Sequence, residues 1–149
     1  MIKRILLYVL TLLMFLIPLN NVNAIDNSVK IEKFIKTFKT YKDDFLDRAI
    51  IESNGIVSMG YIEKTVGNIR YYMNVDFNYD VIIFYVMKQV EMKNNSCDVM
   101  MEGITIRNNV YTYFINRYIV HRESNDVDYD IQPLEIWDEC VDMIFKNNA

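Results

Sequence analysis

Glycine, proline, cysteine and histidine are all scarce in this 149-residue chain, with four, two, two and one copies. Gly55, Gly60, Gly67 and Gly103 never cluster, which excludes a glycine-rich phosphate loop. His121 is the lone histidine, and Cys97 and Cys140 lack close-spaced partners, so a metal centre of imidazoles or paired thiolates is excluded too. Asp126, Asp128 and Asp130 alternate as calcium ligands would. Ile131 stands where such a loop needs glycine and Trp137 where it needs a bidentate acid, so an edge strand or polar linker is the reading kept. There is no internal repeat and no low-complexity tract.

What is present begins with an export signal. Lys3 and Arg4 form a basic start, Ile5 to Leu19 an apolar stretch, and Val22-Asn23-Ala24 a small-residue cleavage site. The apolar stretch is about 15 residues where a bilayer span needs ~20, which favours a removed leader over a retained anchor. Residues 1–24 are therefore expected to be a signal peptide and 25–149 a single exported domain placed in the periplasm. Removing Lys3 and Arg4 leaves 14 basic side chains against 20 acidic ones, a net charge of about −6. That balance disfavours nucleic acid and anionic membrane surfaces, which both attract basic patches.

The two cysteines lie in the exported part, where an oxidising compartment permits them to pair. A Cys97–Cys140 bridge would close a loop of some 44 residues, worth ~4 kcal/mol by chain entropy. Two buried free thiols are the alternative.

Apolar residues from Ile31 to Ala49 recur at three and four positions, predicting one helix over Ser28 to Glu52, ended by Asn54-Gly55. Its lysines sit in the first half and its aspartates in the second, opposite to what the helix dipole favours, so packing must hold it. Three strands are expected next: Ile56 to Glu63, Asn68 to Phe77 and Val81 to Lys93, with Asn78-Tyr79-Asp80 a tight connection. In the second, Tyr71, Met73 and Val75 alternate with Tyr72, Asn74 and Asp76, giving an apolar and a wet face. Cys97 to Met101 adds a fourth strand that breaks at Glu102-Gly103. Asn108 or Asn109 can then cap a helix on which Val110, Phe114 and Tyr118 share a face. Pro133 opens a last helix through Leu134, Trp137, Val141 and Ile144. The expected fold class is α+β: an N-terminal helix, a four-stranded antiparallel meander, and two C-terminal helices on one sheet face.

His121 with Glu123 and Ser124 supplies base, acid and hydroxyl at a polar helix end, but nothing there orients them for catalysis. No catalytic residue, metal or cofactor is expected, and the residues point to a binding protein.

The run Asp98, Val99, Glu102, Gly103, Ile104 and Ile106, followed by Asn109 and Phe114, resembles the MlaC or toluene-tolerance family of periplasmic phospholipid-binding proteins. Cys97, Thr105 and Tyr111 depart from that family's pattern, and the several helices that usually precede the one at Ser28 are missing. The resemblance implies a non-enzymatic lipid shuttle whose partners are phospholipid, an inner-membrane ABC transporter complex and an outer-membrane lipoprotein complex. It implies an apolar pocket between sheet and helices, for which Tyr71, Met73, Val75, Phe84, Val86, Met101, Phe114 and Tyr118 are the candidate lining. Plain core packing has the same signature at each of these positions. The alternative is a shortened relative that carries no lipid and acts as a periplasmic protein-binding module.

Overall fold

From Ile50 onward the chain is rich in β-branched and aromatic residues at alternating positions, and this composition builds a sheet rather than a mixture of strands and helices. The computed structural model describes residues 24–48, 50–53, 57–78 and 80–146. A long helix, α1 (Ala24–Arg48), precedes seven strands: β1 (Ile50–Ser53), β2 (Val57–Val66), β3 (Ile69–Asn78), β4 (Val81–Glu91), β5 (Ser96–Arg107), β6 (Val110–His121) and β7 (Asp126–Asp128). They form one antiparallel sheet in sequence order, six strands edged by the three-residue β7. A five-residue helix, α2 (Trp137–Val141), then widens into a π-helical turn over Asp142–Lys146. The α+β class and the N-terminal helix stand, while the sheet has seven strands instead of four.

The expected helix after Asn109 is strand β6. Asn108 and Asn109 both hold positive φ, at 51° and 62°, and Arg107 pairs with Val110 across them. Two consecutive left-handed residues make the two-residue hairpin turn whose twist matches that of the flanking strands. Asparagine suits that turn as well as it suits a helix cap, and the chain after it, VYTYFINRYIV, is dominated by β-branched and aromatic residues.

The break expected at Glu102-Gly103 is also absent, since β5 runs unbroken from Ser96 to Arg107. Glycine is required there by proximity. A Cβ on Gly103 would lie 2.4 Å from the Tyr85 Cβ and 2.5 Å from the Phe84 carbonyl oxygen of the neighbouring strand. The first helix ends at Arg48, with Ile50 and Ile51 pairing as strand to Tyr61 and Gly60. At the C-terminus, Pro133 and Leu134 are not helical, and the chain first turns at Trp137. The pair of C-terminal helices is thus reduced to α2 and its π-helical extension. Residues 1–23 of the expected leader, and the Asn54-Gly55 helix stop, lie outside the described residues.

Both sheet faces are buried. On one, Tyr71, Met73, Val75, Phe84, Val86, Ile104 and Tyr113 pack against Phe34 of α1 and against Trp137, Cys140, Val141 and Ile144 of the C-terminal segment. Phe34 lies 3.9 Å from the Trp137 ring, and Phe38 meets Phe84 edge-on at 4.7 Å. On the other, Ile83, Tyr85, Met87, Cys97, Val99, Met101, Phe114 and Tyr118 form a second cluster with no described helix in it. The wet face expected on β3 is therefore largely dry, with Asn74 and Asp76 buried on it.

Gly103→Ala is expected to lower stability by about 3 kcal/mol or more, because strand backbone cannot retreat from the new methyl group. Gly67, at φ 61° with open space around it, should accept asparagine for under about 1 kcal/mol. Urea unfolding followed by the fluorescence of Trp137, the single tryptophan, measures both.

Candidate functional site

Alternation along the strands decides where each residue singled out in the sequence comes to lie. Of the eight candidate lining residues, Tyr71, Met73, Val75, Phe84 and Val86 share the helix-covered face, whereas Met101, Phe114 and Tyr118 belong to the opposite cluster. The eight do not line one pocket. Strand period 2 explains the division, since Met101 and Phe114 sit one residue out of phase with Glu102 and Tyr113.

Cysteine placement follows the same rule. Cys97 packs in the cluster away from the helices and Cys140 in the cluster beneath them, so the sheet separates the two and both are free thiols. The expected disulfide is not formed. Burial, more than any neighbouring charge, pushes the Cys97 thiol up to about 11 and that of Cys140 further. Neither is a reactive thiolate at neutral pH.

The residues that carried the family resemblance have structural duties. Glu102, 2 % exposed, projects from the middle of β5 onto the helix-covered face. Its Oε2 accepts the backbone N–H groups of Ile136 (2.7 Å) and Trp137 (2.8 Å), and its Oε1 accepts the Tyr113 hydroxyl at 3.1 Å. Ile136 has no capping side chain of its own, so a carboxylate 34 residues away in sequence satisfies the first amides of α2. Asp98 receives both Nε (3.1 Å) and a terminal nitrogen (2.7 Å) of Arg117, a two-pronged pair that fastens β5 to β6. Val99 and Ile104 are core, Gly103 is the close approach, and Asn109 belongs to the hairpin turn.

Around Glu102 the helical layer is latched by further charges. Lys30 and Lys33 of α1 each reach an acid before or on α2, Glu135 and Asp138, both at 2.6 Å. Lys88 of β4 donates to both oxygens of Glu139 at 2.7 and 2.8 Å, and the Tyr71 hydroxyl donates to the same carboxylate at 3.0 Å. Two lysines of the first half of α1, set against the helix dipole, thus have acidic partners in the C-terminal segment. The sequence signal was the charge segregation itself.

Two polar groupings were not legible. His121 takes Ser96 on Nδ1 and Asp128 on Nε2, each at 2.9 Å, instead of its sequence neighbours Glu123 and Ser124. The trio has the residue types of a hydrolase triad. However, Ser96 is 1 % exposed and so is not presented to a substrate, and the chain of bonds pins the edge strand β7 to β5 and β6. On the face away from the helices, Asp76 accepts the Tyr85 hydroxyl at 3.3 Å on Oδ2, while its Oδ1 and the Asn74 Nδ2 are buried without partners. Burial pushes the Asp76 carboxyl up to about 6, against the opposing effect of the Tyr85 bond. Among the described residues no cluster of histidine, cysteine and carboxylate could hold a metal, and no helix is long and apolar enough to cross a membrane.

No family model, curated protein or solved structure matches this chain.

The raised Asp76 value carries a pH signature. A carboxyl whose folded pKa lies above its ordinary 3.8 supports the fold below about pH 4, and that support is lost as pH rises through about 6. Asp76→Asn removes the ionisation. Its melting temperature relative to the parent should climb between pH 4 and pH 8, by an amount corresponding to roughly 2–3 kcal/mol. A difference that does not vary with pH would contradict this account of Asp76.

Proposed function

We propose that the chain is a non-catalytic, extracytoplasmic binding protein for phospholipid, holding acyl chains against the helix-covered face of its sheet. The observation that carries this reading is the chemistry of that layer. Successive cross-strand rows, Val75–Phe84–Ile104–Tyr113 and then Met73–Val86, present rings, branched aliphatics and a thioether to α1. The helix meets them through Phe34 and Phe38 and, around these, Ile31, Ile35 and Tyr41. Such contacts are non-directional, and an acyl chain can replace them methylene for methylene at ~0.8 kcal/mol each.

The latches support the same reading. Lys30, Lys33 and Thr37 of α1 bond to Glu135, Asp138 and Trp137, so that α1 and the C-terminal segment are tied to one another at the rim. A layer fastened at its polar rim and filled with adaptable apolar groups suits a carrier that must open for a long, flexible ligand. Export rests on the leader read in the sequence, and exchange with membrane-bound complexes on the resemblance of the Asp98–Phe114 run.

Purification of the chain expressed from residues 1–149, followed by lipid extraction and mass spectrometry, is expected to return phospholipid, and the lipid-stripped protein should take lipid up from vesicles. Repeated recovery of a lipid-free monomer with no uptake would overturn the reading in favour of a protein-binding module with a filled core.

A further inference from the structure

One end of the sheet is apolar where it meets solvent. The row Phe77–Ile82–Ile106–Tyr111 crosses β3 to β6 on the helix-covered face, about 14 Å at the usual strand spacing. Phe77 is 46 % exposed and Tyr111 43 %, and Val110, which alternates to the opposite face at the same hairpin turn, is 63 % exposed. These are three of the seven large exposed hydrophobic side chains among the described residues, gathered at two adjacent strand connections. The charged pair there, Arg107 with Asp80 at 3.1 Å, is internally neutralised. Among the described residues of these two connections, that exposed pair is the only charge, so this end of an acidic chain has no net charge of its own. The next row inward, Val75–Phe84–Ile104–Tyr113, is fully buried beneath α1, so the exposed end is continuous with the apolar layer.

We propose that this end of the sheet docks on a lipid bilayer, with Phe77, Val110 and Tyr111 entering the interface between head groups and acyl chains. Area selects the bilayer over a second copy of the chain. The three side chains expose on the order of 300 Å², well short of the ~800 Å² per partner of a stable protein interface. A bilayer interface accepts a small apolar tip with an amphipathic tyrosine at its margin. With the Arg107–Asp80 pair carrying no net charge and the chain acidic overall, the docking draws nothing from anionic lipid. The proposal rests on the phospholipid reading above and adds the point at which the chain meets its source of lipid.

Val110→Cys, labelled with a polarity-sensitive fluorophore, tests it. The native thiols are buried and so are not labelled in the folded protein. Addition of phosphatidylcholine vesicles should shift the emission to the blue and raise it several-fold, with little change between low and high salt. The same label at Val66→Cys, 44 % exposed and beside the Gly67 turn at the opposite end of β3, should stay unchanged. No shift at position 110, an equal shift at position 66, or a shift that needs only higher protein concentration would each overturn the proposal. The last would mean self-association. The lipid content of the purified protein is read separately, so failure of docking and failure of lipid binding are distinguished.

Discussion

A buried carboxylate in the middle of a strand organises this protein. Two backbone amides at the start of α2 and the Tyr113 hydroxyl converge on the Glu102 carboxylate. A buried acceptor is costly unless such donors surround it, and once they do, removing it takes a partner from each of them. The position of Trp137 follows, and with it the ring contacts to Phe34 and Phe84 that seat α1 on the sheet. The peripheral ion pairs of Lys30, Lys33 and Lys88 trim an arrangement that Glu102 has already set. Lying near the surface, each is worth at most about 1 kcal/mol.

Such a design separates what must be rigid from what can move. Strands β2 to β6, each ten residues or longer, form a rigid frame, tightened at Gly103 by a close strand approach and at Asp98 by the two-pronged Arg117 pair. Above it, α1 rests on apolar contacts and its rim bonds run to the C-terminal segment. Directional bonds fasten the layer at Glu102 and along its rim, while the remaining interface is of the kind a lipid chain can share. That division connects the fold to the proposed carriage of lipid, and the apolar end at Phe77 and Tyr111 gives the layer a direction.

Strands β2, β3 and β4 were legible to within three residues at each end because alternation of Tyr71, Met73 and Val75, or of Phe84 and Val86, is a local signal. Strand β6 was misread for a definite reason. Val110, Phe114 and Tyr118 are four apart, and a spacing of four puts residues on one side of a helix and equally on one side of a strand. Only Thr112 and Asn116, and the twin positive-φ asparagines before them, separate the two. Strand β1 was absorbed into the helix because Ile50 and Ile51 continue its apolar stripe. The start of α2 could not be placed locally, since its cap comes from Glu102. Likewise Ser96–His121–Asp128 and Asn74–Asp76–Tyr85 are brought together by register, to which a single strand's composition is blind. Strand faces were assigned well within β3 and β4, and wrongly across β5 and β6, where the expected helix removed the phase relation.

Amide hydrogen exchange in Glu102→Leu, compared with the parent chain at neutral pH, tests the central role of this carboxylate most directly. Leucine occupies much of the same space but offers no acceptor, so the Ile136 and Trp137 amides lose the oxygen that receives them. The prediction is exchange accelerated on the order of 30-fold, about 2 kcal/mol, at Ile136, Trp137 and through α1, with β3, β4 and β5 keeping their protection. Unchanged exchange in α1 and α2, or loss of protection spread evenly over the sheet, would contradict the account.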